Sequence, residues 1–92
     1  IYNKYYMNIN ELIAIVKKKL LSEISIEDIL IEDKSFIHKN HSGNQPNKFH
    51  LKITLKSEQL KKMTKIDSNK KIYKILDNEL KNFIHSLQIL IS

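Results

Sequence analysis

The stretch "KFHLKITLK", residues 48–56, alternates apolar and polar side chains. Successive side chains of a strand point to opposite faces, so this pattern predicts a half-buried β-strand. One face would carry Phe49, Leu51, Ile53 and Leu55, and the other His50, Lys52, Thr54 and Lys56. The chain is therefore expected to build a sheet that is buried on one face. On this pattern His50 is interpreted as a solvated or hydrogen-bonded surface group.

The N-terminal half supplies a helix and a second strand. From Ile9 to Ile24, apolar residues recur at spacings of three and four, which predicts an amphipathic helix with Asn10 as its N-cap. In "IEDILIEDKS", the apolar run Ile29–Ile31 lies between acidic pairs and is too short for a helix, so it is interpreted as a strand. Residues 36–48 hold the chain's only Gly and only Pro, which predicts a long loop.

The C-terminal half supplies a second helix and a third strand. A polar connection with a helical turn near Leu60 leads to a helix capped by Asp67 or Ser68. Its apolar stripe would be Ile72, Tyr73, Leu76, Leu80 and Phe83. The closing "IHSLQILIS" predicts a strand. The expected fold is α+β, in the order helix, strand, strand, short helix, helix, strand, with a three-stranded mixed sheet and helices on one face.

Length and composition limit the kind of protein. With 92 residues, 41% of them hydrophobic, the chain is long enough for one modest core. Residues 1–8 are expected to be a disordered or expression-derived segment, and residues 9–92 the domain. The chain has no cysteine, which excludes disulfides and any thiolate metal site built from this chain alone. No apolar run approaches the roughly 20 residues of a membrane span, so no membrane partner is expected.

The net charge of +6 comes from 16 basic residues, all of them Lys, against 10 acidic ones. A basic surface attracts acidic partners, including nucleic acid, for which Lys65, Lys70 and Lys71 are the candidate contacts. Arginine, which reads guanine or clamps phosphate through two parallel hydrogen bonds, is absent. Nucleic-acid binding is therefore expected to be weak. An AT-rich coding sequence explains the abundance of Lys, Asn and Ile equally well.

The sequence does not predict an enzyme. It has no Ser, His and Asp spacing typical of a catalytic triad and no glycine-rich phosphate loop. Its two adjacent acidic pairs, Glu27 with Asp28 and Glu32 with Asp33, would point to opposite faces of a strand and cannot share a substrate.

Three histidines leave alternatives open. His38 and His41 lie three residues apart in the predicted loop, where they are either exposed polar side chains or metal ligands. His85 begins the closing strand, where it is either a strand-end histidine satisfied by a backbone carbonyl or a ligand.

Several motifs resemble the BolA family when taken in order. "IHSLQI" is similar to the family's "hALxI" ending, and "SFIHKNHSGN" followed by "FHLKI" is similar to its "S..H..H.G" loop and "tHFkV" strand. The intervening "SEQLKKMTKIDSNKKIYKILDNEL" aligns without a gap to "S..F.G...V.RHR.vy..L.eEL". Two departures are clear: Lys62 replaces the family glycine, and residues 68–70 replace the basic trio "RHR".

The resemblance implies a fold similar to the second type of KH domain. It implies a heterodimer with a monothiol glutaredoxin, in which a bridging 2Fe-2S cluster is shared with the glutaredoxin cysteine and glutathione. The ligands from this chain would be His85 and His38, with His41 as an alternative to His38. The isolated chain would be a monomer without cofactor, housed in mitochondria, another organelle or a bacterial-type cytoplasm. The alternative function is a KH-like nucleic-acid-binding or transcriptional regulatory module.

Overall fold

The computed structural model describes residues 7–35 and 48–92. Four helices and three strands follow one another within these ranges: α1 (Ile9–Glu23), β1 (Asp28–Asp33), β2 (Phe49–Lys56), α2 (Glu58–Lys61), α3 (Lys65–Ile75), α4 (Asp77–Asn82) and β3 (Ile84–Ile91). The predicted loop lies outside the described residues except for Lys48. The predicted order of helices and strands is confirmed, with one helix more than expected.

The described strands form one three-stranded sheet in the order β1-β2-β3. β1 pairs antiparallel with β2, and β2 pairs parallel with β3, so the sheet is mixed as predicted. Residues in register share a face, and the row Ile31, Ile53 and Ile89 packs into the core. The neighbouring row Leu30, Thr54 and Leu90 points the other way, and both its leucines are exposed.

The core lies between the apolar face of β2 and the helices. Each of its side chains is less than about one-tenth exposed to solvent. They include Leu12, Val16, Leu20, Leu51, Ile53, Leu55, Leu60, Ile72 and Leu76. Each fully buried leucine or isoleucine contributes about 2 kcal/mol of transfer free energy. The predicted apolar stripe of the first helix is confirmed, because Leu12, Val16 and Leu20, which follow one another at intervals of four residues, are its buried residues.

Asn8, not Asn10, caps α1. The side-chain oxygen of Asn8 accepts a hydrogen bond from the Glu11 amide at 2.8 Å, and its amide nitrogen donates to Oε1 of Glu11 at 2.8 Å. The prediction of Asn10 was wrong because the helix already begins at Ile9, which places Asn10 inside the first turn. Met7 is buried in the core, so the folded part of the chain includes residues before Ile9.

The second predicted helix is two helices. Thr64 caps α3 by accepting a hydrogen bond from the Asp67 amide at 3.1 Å, so the prediction of Asp67 or Ser68 as the cap was wrong. Leu76 interrupts the helix with φ −97° and ψ 18°, yet the Leu80 amide still donates to the Leu76 carbonyl at 2.9 Å. Ile72, Leu76 and Phe83 of the predicted stripe are buried, but Tyr73 is 46% exposed, so its assignment to the stripe was wrong.

None of the helices among the described residues is long and apolar enough to cross a membrane.

Candidate metal-ligand site at the start of the third strand

A β-bulge presents His85 at one end of the sheet. Phe49 pairs with Ile84 and the next residue of β2, His50, pairs with Ser86, so His85 is the extra residue of β3. A bulge leaves its extra residue outside the ladder and turns its side chain in a new direction, and bulges are common beside functional sites. Ile84 is buried in the core while the side chain of His85 is exposed. The fold therefore anchors this strand one residue before an accessible imidazole.

His50 is buried, with 6% exposure. Its backbone amide donates to Oγ of Ser35 at 3.0 Å, and its carbonyl accepts from the Lys34 amide at 2.7 Å. Its ring nitrogen Nδ1 shares a hydrogen bond with Oγ of Ser86 at 2.6 Å. The prediction of a surface position for His50 was wrong, because the side chain is buried with Ser86 and the His85 ring against it, whereas the hydrogen bond that was the other part of that prediction is present.

The two imidazole rings are in contact. The ring centroids of His50 and His85 lie 4.9 Å apart, with 54° between the ring planes. His50 is held by Ser86 and by its pairing in the sheet. Its ring therefore limits the space available to one side of the His85 ring. An imidazole that is exposed and restrained is suited to metal ligation.

His85 does not complete a metal site with its described neighbours. Within residues 7–35 and 48–92, no group of three or more His, Cys, Asp or Glu side chains could hold a metal ion. His38 and His41, the other predicted ligands, lie outside the described residues. Any complete site at this end of the sheet therefore needs ligands beyond the described residues or from another molecule.

Two of the three lysines proposed for nucleic-acid contact line different depressions. All three lie on α3, where Lys65 and Lys70 are exposed and Lys71 is half-buried. Lys65 lines a cleft beside β3, whereas Lys71 lines a separate groove with Lys19 of α1. The helix thus separates positive charge between two depressions.

Sequence reasoning missed His50 as part of the site. The alternating pattern of β2 shows only that its side chain is on the face opposite the apolar residues. A signal was nonetheless present, because the family's "tHFkV" strand motif carries a histidine where this chain has His50. Its contact with His85 depends on the register between β2 and β3, which the alternation of one strand does not specify.

Comparison with known proteins decides the family. The family model described as BolA-like protein matches residues 20–92. This chain belongs to the BolA family. A related protein of Haemophilus influenzae, described as the DNA-binding transcriptional regulator BolA, is 28% identical over 75 residues, which cover 82% of this chain and 70% of that relative. The resemblance predicted from the sequence motifs is confirmed.

Solved structures of BolA domains share the fold. The BolA domain of SufE1 from Arabidopsis thaliana superimposes with a TM-score of 0.74 at 22% identity, covering 94% of this chain and 93% of that one. BolA1 from Arabidopsis thaliana superimposes with a TM-score of 0.71 at 23% identity, covering 100% of this chain and 93% of that one. A Bol-like protein from Babesia bovis superimposes with a TM-score of 0.66 at 17% identity, covering 85% of this chain and 79% of that one. The predicted BolA-like α+β fold is confirmed.

Proposed function

We propose that this BolA-family protein is a non-enzymatic partner of a monothiol glutaredoxin and co-ligates a bridging 2Fe-2S cluster, for iron-sulfur assembly, trafficking or iron sensing. The observation that carries the proposal is the exposed imidazole of His85, placed on a bulge and in contact with the buried ring of His50. An imidazole presented in this way is a ligand available to a second molecule.

The donor chemistry of the chain fits half of such a site. The chain has no cysteine, so its own ligands to iron are imidazoles, and the thiolates would come from the glutaredoxin cysteine and glutathione. Mixed ligation by two His and two Cys occurs in Rieske centres, where it raises the reduction potential. His85 is one ligand from this chain, and His38 is the other, with His41 as its alternative. The bound cluster would supply one-electron redox chemistry and iron and sulfide for transfer.

The described residues orient the His85 ligand. Ile84, with 2% exposure, anchors the strand in the core on one side of His85, and the Ser86–His50 hydrogen bond fixes it on the other. The His50 ring restricts the rotamers of the His85 side chain by occupying the neighbouring space. A ligand held from both sides loses little side-chain entropy on binding, which favours affinity.

Substitution of His85 tests the proposal. The protein and its His85→Ala variant are each mixed with a cluster-loaded monothiol glutaredoxin, and visible circular dichroism and electron paramagnetic resonance of the reduced complex are recorded. The His85→Ala complex should lose the mixed-ligand spectrum, while Gln88→Ala, an exposed change on the same strand, should keep it. His38→Ala should weaken the spectrum, and the His38, His41 double variant should weaken it further. Coincident spectra for His85→Ala and wild type would refute the proposed role of His85.

Nucleic-acid binding is the second candidate function. It is favoured by the description of the Haemophilus influenzae relative as a DNA-binding transcriptional regulator, and by the exposed Lys65 and Lys70 on α3. On duplex DNA, removing one lysine–phosphate interaction reduces the steepness of log affinity against log salt by about 0.9. Lys65→Ala and Lys70→Ala should each reduce this steepness for weak, sequence-indifferent binding. A sequence-selective, submicromolar complex at physiological salt would place this function first.

A further inference from the structure

The two edges of the sheet differ in charge. The edge strand β1 is six residues long and carries Asp28, Glu32 and Asp33. The opposite edge strand, β3, is eight residues long and contains no Lys, Arg, Asp, Glu or Pro. Proteins commonly protect exposed edges from pairing with another chain by placing charges or proline there. β1 has this protection and β3 does not.

The outer edge of β3 presents backbone groups to a further strand. Ser92, which follows β3, donates its amide to the Leu55 carbonyl at 2.9 Å and accepts from the Ser57 amide at 3.0 Å, so its backbone faces the centre of the sheet. Backbone groups of successive strand residues point to opposite sides, which turns the N–H and C=O groups of Ile91 and Ile89 outward. Among the described residues, β3 pairs with β2 alone.

A cleft of about 310 Å³ runs beside this edge, between β3 and the turn that joins α2 to α3. Its apolar lining includes Leu60 and Met63 together with Ile89 and Ile91 of the strand. Lys61 and Lys65 line the same cleft, and no described residue that lines it is acidic. Leu90 of the strand also lines the cleft and is 44% exposed. The edge is therefore bordered by apolar surface and by positive charge.

We infer that an extended segment of a partner protein, with both apolar and acidic side chains on the face that meets the cleft, adds as a fourth strand to the outer edge of β3. Strand addition draws affinity from main-chain hydrogen bonds and specificity from alternate side chains. On the face of the segment that meets the cleft, apolar side chains pack against Met63 and Ile89, and carboxylates meet the exposed Lys61 and Lys65. The cleft residues of β3 begin at Ile89, about 13 Å along the strand from His85 at about 3.3 Å per residue, and the added strand uses no histidine of the proposed cluster site.

Charge favours an acidic partner over a second copy of this chain. Pairing of two β3 edges would bring two clefts lined by Lys61 and Lys65 together, and the whole chain carries a net charge of +6. The cleft is also poorly suited to nucleic acid. The turn at its end, Lys62–Thr64, has no glycine, whereas KH domains clamp the nucleic-acid backbone with a GxxG loop.

Titration with a designed peptide tests the inference. The probe is an acetylated and amidated peptide of about six residues, the usual length of a strand, with Val and Glu on the face toward the cleft and Thr on the other face. Backbone amide chemical shifts of the isotope-labelled protein are followed during titration. Shifts should concentrate at Leu87–Ile91 and at Met63–Lys65. The same peptide with Lys in place of Glu should not bind. Methylation of the amides of the Glu peptide on the side facing β3 should abolish binding, because it removes the strand hydrogen bonds.

Charge reversal gives a matched control within the chain. The double change Lys61→Glu and Lys65→Glu should weaken peptide binding about tenfold, as expected for two partly exposed charge pairs. The double change Lys17→Glu and Lys18→Glu alters the net charge equally on an exposed part of α1 and should leave affinity within about twofold.

Three results would overturn the inference. The first is equal weakening by both double changes, or equal binding of the amide-methylated peptide. The second is a change in the amide chemical shifts of Leu87–Ile91 when the protein is concentrated in the absence of peptide. Such a change would identify a second copy of the chain as the occupant of the edge. The third is binding of a single-stranded oligonucleotide in the cleft when the peptide does not bind. Because none of these measurements uses glutaredoxin or iron, their failure leaves the proposed function untouched.

Discussion

The imidazole rings of His50 and His85 lie 4.9 Å apart between centroids, although the two residues are far apart in the chain. His50 is buried in the central strand, and His85 is exposed on a bulge of the neighbouring strand. The buried ring is held by Ser86, which is both the register partner of His50 and the residue after His85. One hydrogen bond therefore connects the register of the sheet to the position of the exposed imidazole.

Ser86→Ala should disturb both rings. Removing the 2.6 Å hydrogen bond to Nδ1 of His50 should lower the free energy of unfolding by about 1 kcal/mol and shift the ring carbon resonances of His50 and His85. Chemical denaturation and carbon-edited NMR of the histidine rings measure the two effects. Ser22→Ala, which removes an exposed hydroxyl on α1, should leave both sets of resonances in place. Unchanged ring resonances in Ser86→Ala would contradict the orienting role of this bond.

Asn8→Ala should destabilise α1, and Asn10→Ala should not. Removing the N-cap side chain should lower the free energy of unfolding by about 1 kcal/mol, because the Glu11 amide is left without its acceptor. Asn10 lies within the helix and is exposed, so its replacement by alanine should change stability by less than about 0.5 kcal/mol. Urea denaturation compares the two variants, which remove the same side chain two positions apart. The reverse ranking would mean that the helix begins later than Ile9.

Leu76→Ala should cost about 3 kcal/mol, because Leu76 has 0% exposure and its truncation leaves a cavity at the junction of α3 and α4. Leu30→Ala removes the same atoms from a side chain that is 56% exposed on the open face of the sheet, and should cost less than about 0.5 kcal/mol. Thermal and chemical unfolding give both values. Similar destabilisation by the two changes would refute the assignment of the buried face.

Lys19→Met should be costly because it leaves a buried carboxylate without its cation. Nζ of Lys19 lies 2.7 Å from Oε2 of Glu79, and the two side chains are 39% and 4% exposed. We expect the free energy of unfolding to fall by about 2 kcal/mol, between the values typical of exposed and of buried ion pairs. The added change Glu79→Gln should recover part of this stability, since it removes the unpaired charge.

The exposed pair Lys81–Asp77 provides the control for this prediction. Its atoms lie 3.1 Å apart with side-chain exposures of 71% and 63%, so Lys81→Met should cost less than about 0.5 kcal/mol. Additive effects of Lys19→Met and Glu79→Gln in a double-mutant cycle would show that this pair contributes no coupling energy.

The site was only partly predictable from the chain. The motif "IHSLQI", which resembles the family's "hALxI" ending, indicated His85 as a candidate ligand. The structure places His85 at an exposed position. The assignment of His50 to a solvated face failed because alternation records which face a side chain takes, and says nothing about what covers that face. The role of His38 and His41 stays a prediction, since both lie outside the described residues.

The sequence by itself determined the order of the elements, the apolar face of β2 and the stripe of α1, because period-2 and three- and four-residue spacings record local backbone geometry and burial. Only the tertiary structure decided the break at Leu76, the bulge at His85 and the burial of His50. Each of these depends on contacts between segments distant in the chain, such as the pairing of His50 with Ser86, so no local pattern contains it. The tertiary structure also decided that β3 is an unprotected edge strand. The uncharged sequence of β3 does not show this, because its edge position follows from the strand order with β2 in the centre of the sheet.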